Sequence, residues 1–210
     1  MGEIPTPFII QTSASLIGKG IYFSPSRDIA IIRLGQFGKP GDFSMPAYVS
    51  QSARGLPKDF DPKKSSRRLE VISRPSCLSF ASIDVTDDVF FVGFPASLNF
   101  YPDIVAPQYD PEWPLFRRGI IAGKKDSDHH LIVDGFVQPG NSGGPLFRSK
   151  SNSPTSSELS LIGIMTTWVP FVSKARDEHG LTTNINVQNA GYSMAEPVDG
   201  LLELIESSER

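Results

Sequence analysis

The apolar residues of this chain come in short runs, and glycine, proline, aspartate or serine bounds each of them. The runs are Pro7-Phe8-Ile9-Ile10, Ile29-Ala30-Ile31-Ile32, Val89-Phe90-Phe91-Val92, Gly119-Ile120-Ile121-Ala122, Leu131-Ile132-Val133 and Leu159 to Met165. They are rich in β-branched and aromatic residues and too short for helices, so they read as strands. The 18 glycines and 18 prolines spread among 210 residues reinforce a fold of short strands and many turns. One helix is expected, at the C-terminus. There Val198, Leu201, Leu202 and Ile205 form an apolar stripe, and Pro197 suits the first turn. Polar or proline-rich stretches at 53–70, 99–114 and 149–158 read as loops. The chain is long enough for one domain or two small lobes, and the fold class is all-β with a terminal helix.

Charge and composition narrow the function classes. A net charge of −3 gives no reason to expect nucleic acid as a partner. The basic cluster Lys63, Lys64, Arg67 and Arg68 reads as a solvated loop. Cys77 is the only cysteine, so no intrachain disulfide can form. Met1 to Gln11 lacks the basic start and apolar core of a signal peptide, and no stretch reaches the roughly 20 apolar residues of a membrane span. The expectation is a cytoplasmic protein with no membrane partner.

The most specific segment is Gly135-Phe136-Val137-Gln138-Pro139-Gly140-Asn141-Ser142-Gly143-Gly144-Pro145-Leu146. A serine hydroxyl is a weak nucleophile that needs a base and donors for the oxyanion it creates. Glycine at 140 permits a turn in which the amides of Gly140 and Ser142 converge. Gly143 and Gly144 leave room for a substrate backbone. Gly140 to Pro145 resembles the GxSGGP signature of trypsin-like serine peptidases, and Asn141 resembles their bacterial, HtrA-like branch. Arg27-Asp28-Ile29-Ala30-Ile31-Ile32-Arg33-Leu34 resembles the segment that carries the triad aspartate. Val92-Gly93-Phe94-Pro95, Arg118-Gly119-Ile120-Ile121, Leu161-Ile162-Gly163-Ile164 and Asn189-Ala190-Gly191-Tyr192 resemble further family segments, in family order.

The resemblance implies a chymotrypsin-like double β-barrel. Residues 1–105 would form an incomplete first barrel, 106–195 a second barrel with the serine loop, and 196–208 the terminal helix. It implies a cofactor-free, metal-free endopeptidase acting on protein or peptide substrates through an acyl-enzyme on Ser142. Asp28 would orient the base, and Gly140 and Ser142 would hold the oxyanion. Phe136, six residues before the nucleophile, would sit at the base of the substrate pocket and favour apolar side chains.

The histidine of such a triad is missing from its place. The family order is His, Asp, Ser, but His129, His130 and His179 all follow Asp28. His129 and His130 adjoin Asp126 and Asp128 in a turn at the far end of a strand from Ser142. His179 lies in the charged stretch from Lys174 to Gly180. A serine–lysine pair is chemically possible, but no spacing singles out Lys19 or Lys39. Two readings follow. Either the histidine belongs to sequence upstream of Met1, or the chain is a pseudopeptidase that binds peptides without cutting them, through β-pairing near Met165 to Trp168.

Overall fold

A computed structural model describes residues 9–10, 21–32, 36–37, 43–44, 53–54, 72–95, 114–150 and 158–209. The described residues are mostly β-strand with one C-terminal helix. The chain divides into two compact units, Met1–Ile72 with Leu201–Arg210, and Ser73–Gly200.

In the first unit the strands pair in twos. They are β1 (Ile9–Ile10), β2 (Ile21–Phe23), β3 (Ala30–Ile32), β4 (Gln36–Phe37), β5 (Phe43–Ser44) and β6 (Ala53–Arg54). The pairs are β1 with β6, β2 with β3 and β4 with β5. The β2–β3 turn is closed by Ser24, whose hydroxyl accepts from the amide of Arg27 at 3.2 Å. Its amide donates to the Ile29 carbonyl at 3.0 Å. Serine suits such a turn because its short hydroxyl can stand in for a backbone partner.

The second unit is a closed six-stranded barrel. Its strands are β7 (Asp88–Gly93), β8 (Leu115–Lys125), β9 (His130–Asp134), β10 (Pro145–Lys150), β11 (Glu158–Arg176) and β12 (Thr182–Pro197). Around the barrel the order is β10-β11-β12-β9-β8-β7, and all neighbours are antiparallel. Two meanders, β7-β8-β9 and β10-β11-β12, are therefore joined by two seams. One pairs β9 with β12, as in Ser193 opposite Val133. The other pairs β7 with β10, as in Leu146 opposite Phe91. Closure leaves no exposed sheet edge within the barrel wall.

The alternation that marks these strands in the sequence is the alternation of burial. Along β7, Val89, Phe91 and Gly93 point inward and are buried, while the residues between them are partly covered. Val89 and Phe91 with Ile121, Leu131, Val133, Val137, Leu146, Ile162, Met165 and Ala195 fill a continuous core, to which Phe80 and Ile83 add a layer. The core spans all six strands, so each strand loses its apolar cover if one is removed.

Four sequence-predicted strands fall inside β7, β8, β9 and β11. Of the two in the first unit, only Ile9–Ile10 and Ala30–Ile32 are strand among the described residues. The closed barrel, expected to begin near residue 106, also takes in β7, and the compact units divide at residue 72. The first half of β12, from Thr182 to Gln188, is exposed throughout and pairs with Phe171 to Arg176 as a two-stranded ribbon. The expected loops at 53–70, 99–114 and 149–158 lie largely outside the described residues.

The expected helix is present as α1 (Val198–Ser208). Val198 and Leu204 are buried, but Ile205 is not, so the covered face is rotated from the expected stripe. Asp199, in the first turn, accepts the amide of Phe80 at 2.7 Å. A carboxylate there also complements the partial positive charge of the helix start.

Candidate functional site

The connection between the two meanders, from Gly135 to Gly144, is the serine loop. Its shape follows from a few polar contacts. Asn141 is fully buried. Its side-chain oxygen accepts the Gln138 amide at 3.0 Å, and its own amide donates to the Gln138 carbonyl at 3.0 Å. This reciprocal pair closes Gln138 to Asn141 into a tight turn. Gly140 (φ 92°) and Gly143 (φ 85°) supply backbone angles that other residues adopt only at a cost. Gly144 packs against the β7 backbone at Val92, and Gly93 packs against Asn141; a Cβ at either position would collide. The loop is thus pressed onto the β7–β10 seam.

On its other side the loop is laced to β11. The Gly143 amide donates to the Met165 carbonyl at 2.8 Å, and the Met165 amide donates to the Gly144 carbonyl at 2.8 Å. The next residue, Thr166, is the extra residue of a bulge, because the register with β12 slips between Met165 and Thr167. A bulge turns backbone groups out of the ladder. The Thr166 carbonyl takes the Ser142 hydroxyl at 2.7 Å.

Ser142 is exposed at the tip of this turn. Among the described residues, neither its amide nor that of Gly140 donates to an acceptor. The turn therefore presents a hydroxyl and two open amides. The hydroxyl rests on a carbonyl, which can accept a hydrogen bond but cannot remove a proton at neutral pH.

The remainder of the loop is pinned to β12. The Asn189 side chain donates to the Val137 carbonyl at 2.6 Å and accepts the Gly191 amide at 2.8 Å. The buried Ser193 hydroxyl donates to the Gly135 carbonyl at 3.0 Å. Between these anchors Phe136 stays 47% exposed. Arg117 from β8 donates to its carbonyl at 2.9 Å and holds its guanidinium 5.7 Å from the ring centroid.

No protein-family model and no curated protein matches this chain.

The three histidines are occupied elsewhere. His130, at the start of β9, has Nδ1 3.0 Å from the Asp128 carbonyl and Nε2 3.5 Å from the buried carboxylate of Glu196. His129 makes an edge contact with the Phe80 ring. His179 lies at the ribbon tip beside Glu178. Asp28 is exposed in the β2–β3 turn of the other compact unit.

Gly140, Ser142 and Phe136 thus lie on one loop of one barrel. Sequence reasoning touched Thr166 and Asn189 only as members of longer segments and did not single out Ser193 or Arg117. Thr166 acts through its backbone, which no side-chain pattern reports. Arg117 could have been marked only by knowing which face of β8 points inward.

Proposed function

We propose that the chain is a trypsin-like serine endopeptidase domain that forms an acyl-enzyme on Ser142. The supporting observation is the Gly140–Gly144 turn, which offers an exposed hydroxyl beside two amides with no acceptor among the described residues. In this reading Ser142 attacks the scissile carbonyl, and the amides of Gly140 and Ser142 hold the resulting oxyanion. Phe136 lines the pocket for the residue before the scissile bond, and Asp28 orients the base. Residues 1–72 contribute to a companion barrel. Because the Ser142 hydroxyl rests on the Thr166 carbonyl and not on a base, this chain by itself turns over little substrate.

A fluorophosphonate probe followed by peptide mass mapping tests the assignment. Ser142 should be the labelled serine, slowly and faster as pH rises, and Ser142→Ala should abolish the label. Labelling spread over other exposed serines, with Ser142 no more reactive than they are, would end the acyl-transfer reading.

A second reading keeps binding without cleavage. It is favoured by the same Ser142–Thr166 hydrogen bond, in which the hydroxyl donates to a carbonyl and not to a base. The serine loop occupies the β11 edge at Met165 and Thr166, and past it β11 pairs only with β12 among the described residues, so the edge from Thr167 and Trp168 onward could receive an extended peptide. Such a module would bind peptides equally well with Ser142→Ala.

A further inference from the structure

Arg117 is a cation that the barrel turns toward the serine loop. On β8 it shares a face with Gly119 and buried Ile121, and across the sheet it opposes buried Phe91. Phe91 in turn touches Gly135, and Gly93, two residues further along β7, touches Asn141. Arg117 therefore lies at the serine-loop end of the barrel, with its guanidinium against Phe136.

A guanidinium carries five N–H donors and keeps its charge at any ordinary pH. Here one of them, from Nη1, reaches the Phe136 carbonyl. The Nε donor is closed off from solvent and has no acceptor. Among the described residues no carboxylate pairs with Arg117. Its neighbour Arg118, on the outward face, takes Asp88 at 2.8 Å. Asp134, nearest along the chain to Phe136, is exposed on the outward face of β9. A half-buried guanidinium with no counter-ion is costly, and a planar carboxylate is the group that pairs best with the Nη donors a ligand can reach; the buried Nε adds to the cost but lies out of a ligand's reach. The Phe136 ring alone offers only a weak cation–π contact at 5.7 Å.

We propose that Arg117 recognises an acidic side chain, Glu or Asp, on the peptide bound at the serine loop. This rests on the assignment of that loop as a peptide site. It replaces the apolar preference that Phe136 suggests: the ring packs against the aliphatic part of the acidic side chain, and the guanidinium takes its carboxylate.

The test is calorimetric titration of the full chain with acetyl-Ala-Ala-Pro-Glu-amide and its Gln, Leu and Arg counterparts. The amide end removes the terminal carboxylate, so only the side chain can supply one. The Glu peptide should bind about 10-fold more tightly than the Gln peptide, the scale of one charge-assisted hydrogen-bond pair. The ratio should collapse in Arg117→Gln and survive in part in Arg117→Lys, which keeps the charge but loses the fork. If Arg117→Gln does not melt cooperatively, the ratio in the unaltered protein should still fall as salt is raised. Equal binding of Glu and Gln peptides, or a ratio untouched by Arg117→Gln and by salt, would overturn the proposal. A boronic acid built on the Glu peptide separates the two assignments. Glu preference without a tetrahedral boron adduct at Ser142 supports Arg117 and removes acyl transfer. An adduct without Glu preference does the reverse.

Discussion

Asn141→Asp changes one atom in the most buried part of the serine loop, and its effect can be worked out with its sign. The two side chains have the same shape, so packing is preserved. One carboxylate oxygen would keep the hydrogen bond from the Gln138 amide. The other would replace Nδ2, which is buried and has no partner. Burial alone can raise a carboxyl pKa by about 3–5 units, and the retained amide bond offsets part of that. A net rise of about 2–3 units, at 1.36 kcal/mol each, gives a loss of about 3–4 kcal/mol. The folded protein would then hold its proton up to about pH 6.5, whereas the unfolded chain releases it near 3.9. Between those values the folded state binds more protons, so stability falls as pH rises. The variant should match the parent below about pH 4 and show the full deficit by about pH 8. Urea unfolding of both proteins across that range measures it. A variant as stable as the parent at pH 8 would mean that water or a cation reaches the Nδ2 position, and the account of a dry, unpartnered pocket would be wrong.

Two further outcomes follow from the same geometry. Gly144→Ala would drive a Cβ into the Val92 backbone and to 2.9 Å from the Asn141 carbonyl, so it should cost more than about 2 kcal/mol in thermal or urea unfolding. At the opposite end of the barrel, the Lys125 ammonium hydrogen-bonds Asp128 and holds its carboxyl below the usual range. Lys125→Ala should therefore move the Asp128 titration, followed by carboxyl NMR, upward. Because the depressed carboxyl favours the folded state above its unfolded pKa, that small contribution disappears as pH falls through the folded value.

Much of the barrel is legible in the sequence, for a definite reason. Val89-Phe90-Phe91-Val92, Leu131-Ile132-Val133 and Leu159 to Met165 are strands whose alternate residues enter the core, so their apolar pattern is their fold. The Gly140–Pro145 turn is legible because its backbone angles call for glycine. Thr182 to Gln188 is not, because Thr-Thr-Asn-Ile-Asn-Val-Gln covers no core. Those residues are strand because β11 pairs with them, and pairing leaves little trace in a single segment. The helix was placed correctly but its buried face was not: periodicity gives a stripe, whereas the surroundings of Leu204 and Ile205 decide which edge of it is covered. Phe136 is a candidate only through the family resemblance, which puts the residue six before Ser142 at the pocket base. Arg117, its partner, sits 19 residues earlier on another strand and reaches it only after the barrel is closed.

The two meanders also set an order of assembly. Within each, strands meet through contacts close in sequence, such as Lys125 with His130 or Lys150 with Glu158. The seams join residues far apart, Phe91 with Leu146 and Leu131 with Ala195. Closing a longer loop costs more chain entropy and slows the search, so the seams should form after the meanders. The serine loop takes its shape from one of those seams, through Gly93 and Gly144, and from β11 on the far side. A partly folded chain would carry Ser142 but not the turn that sets its hydroxyl beside two open amides, so that arrangement would come into being only when the barrel had shut.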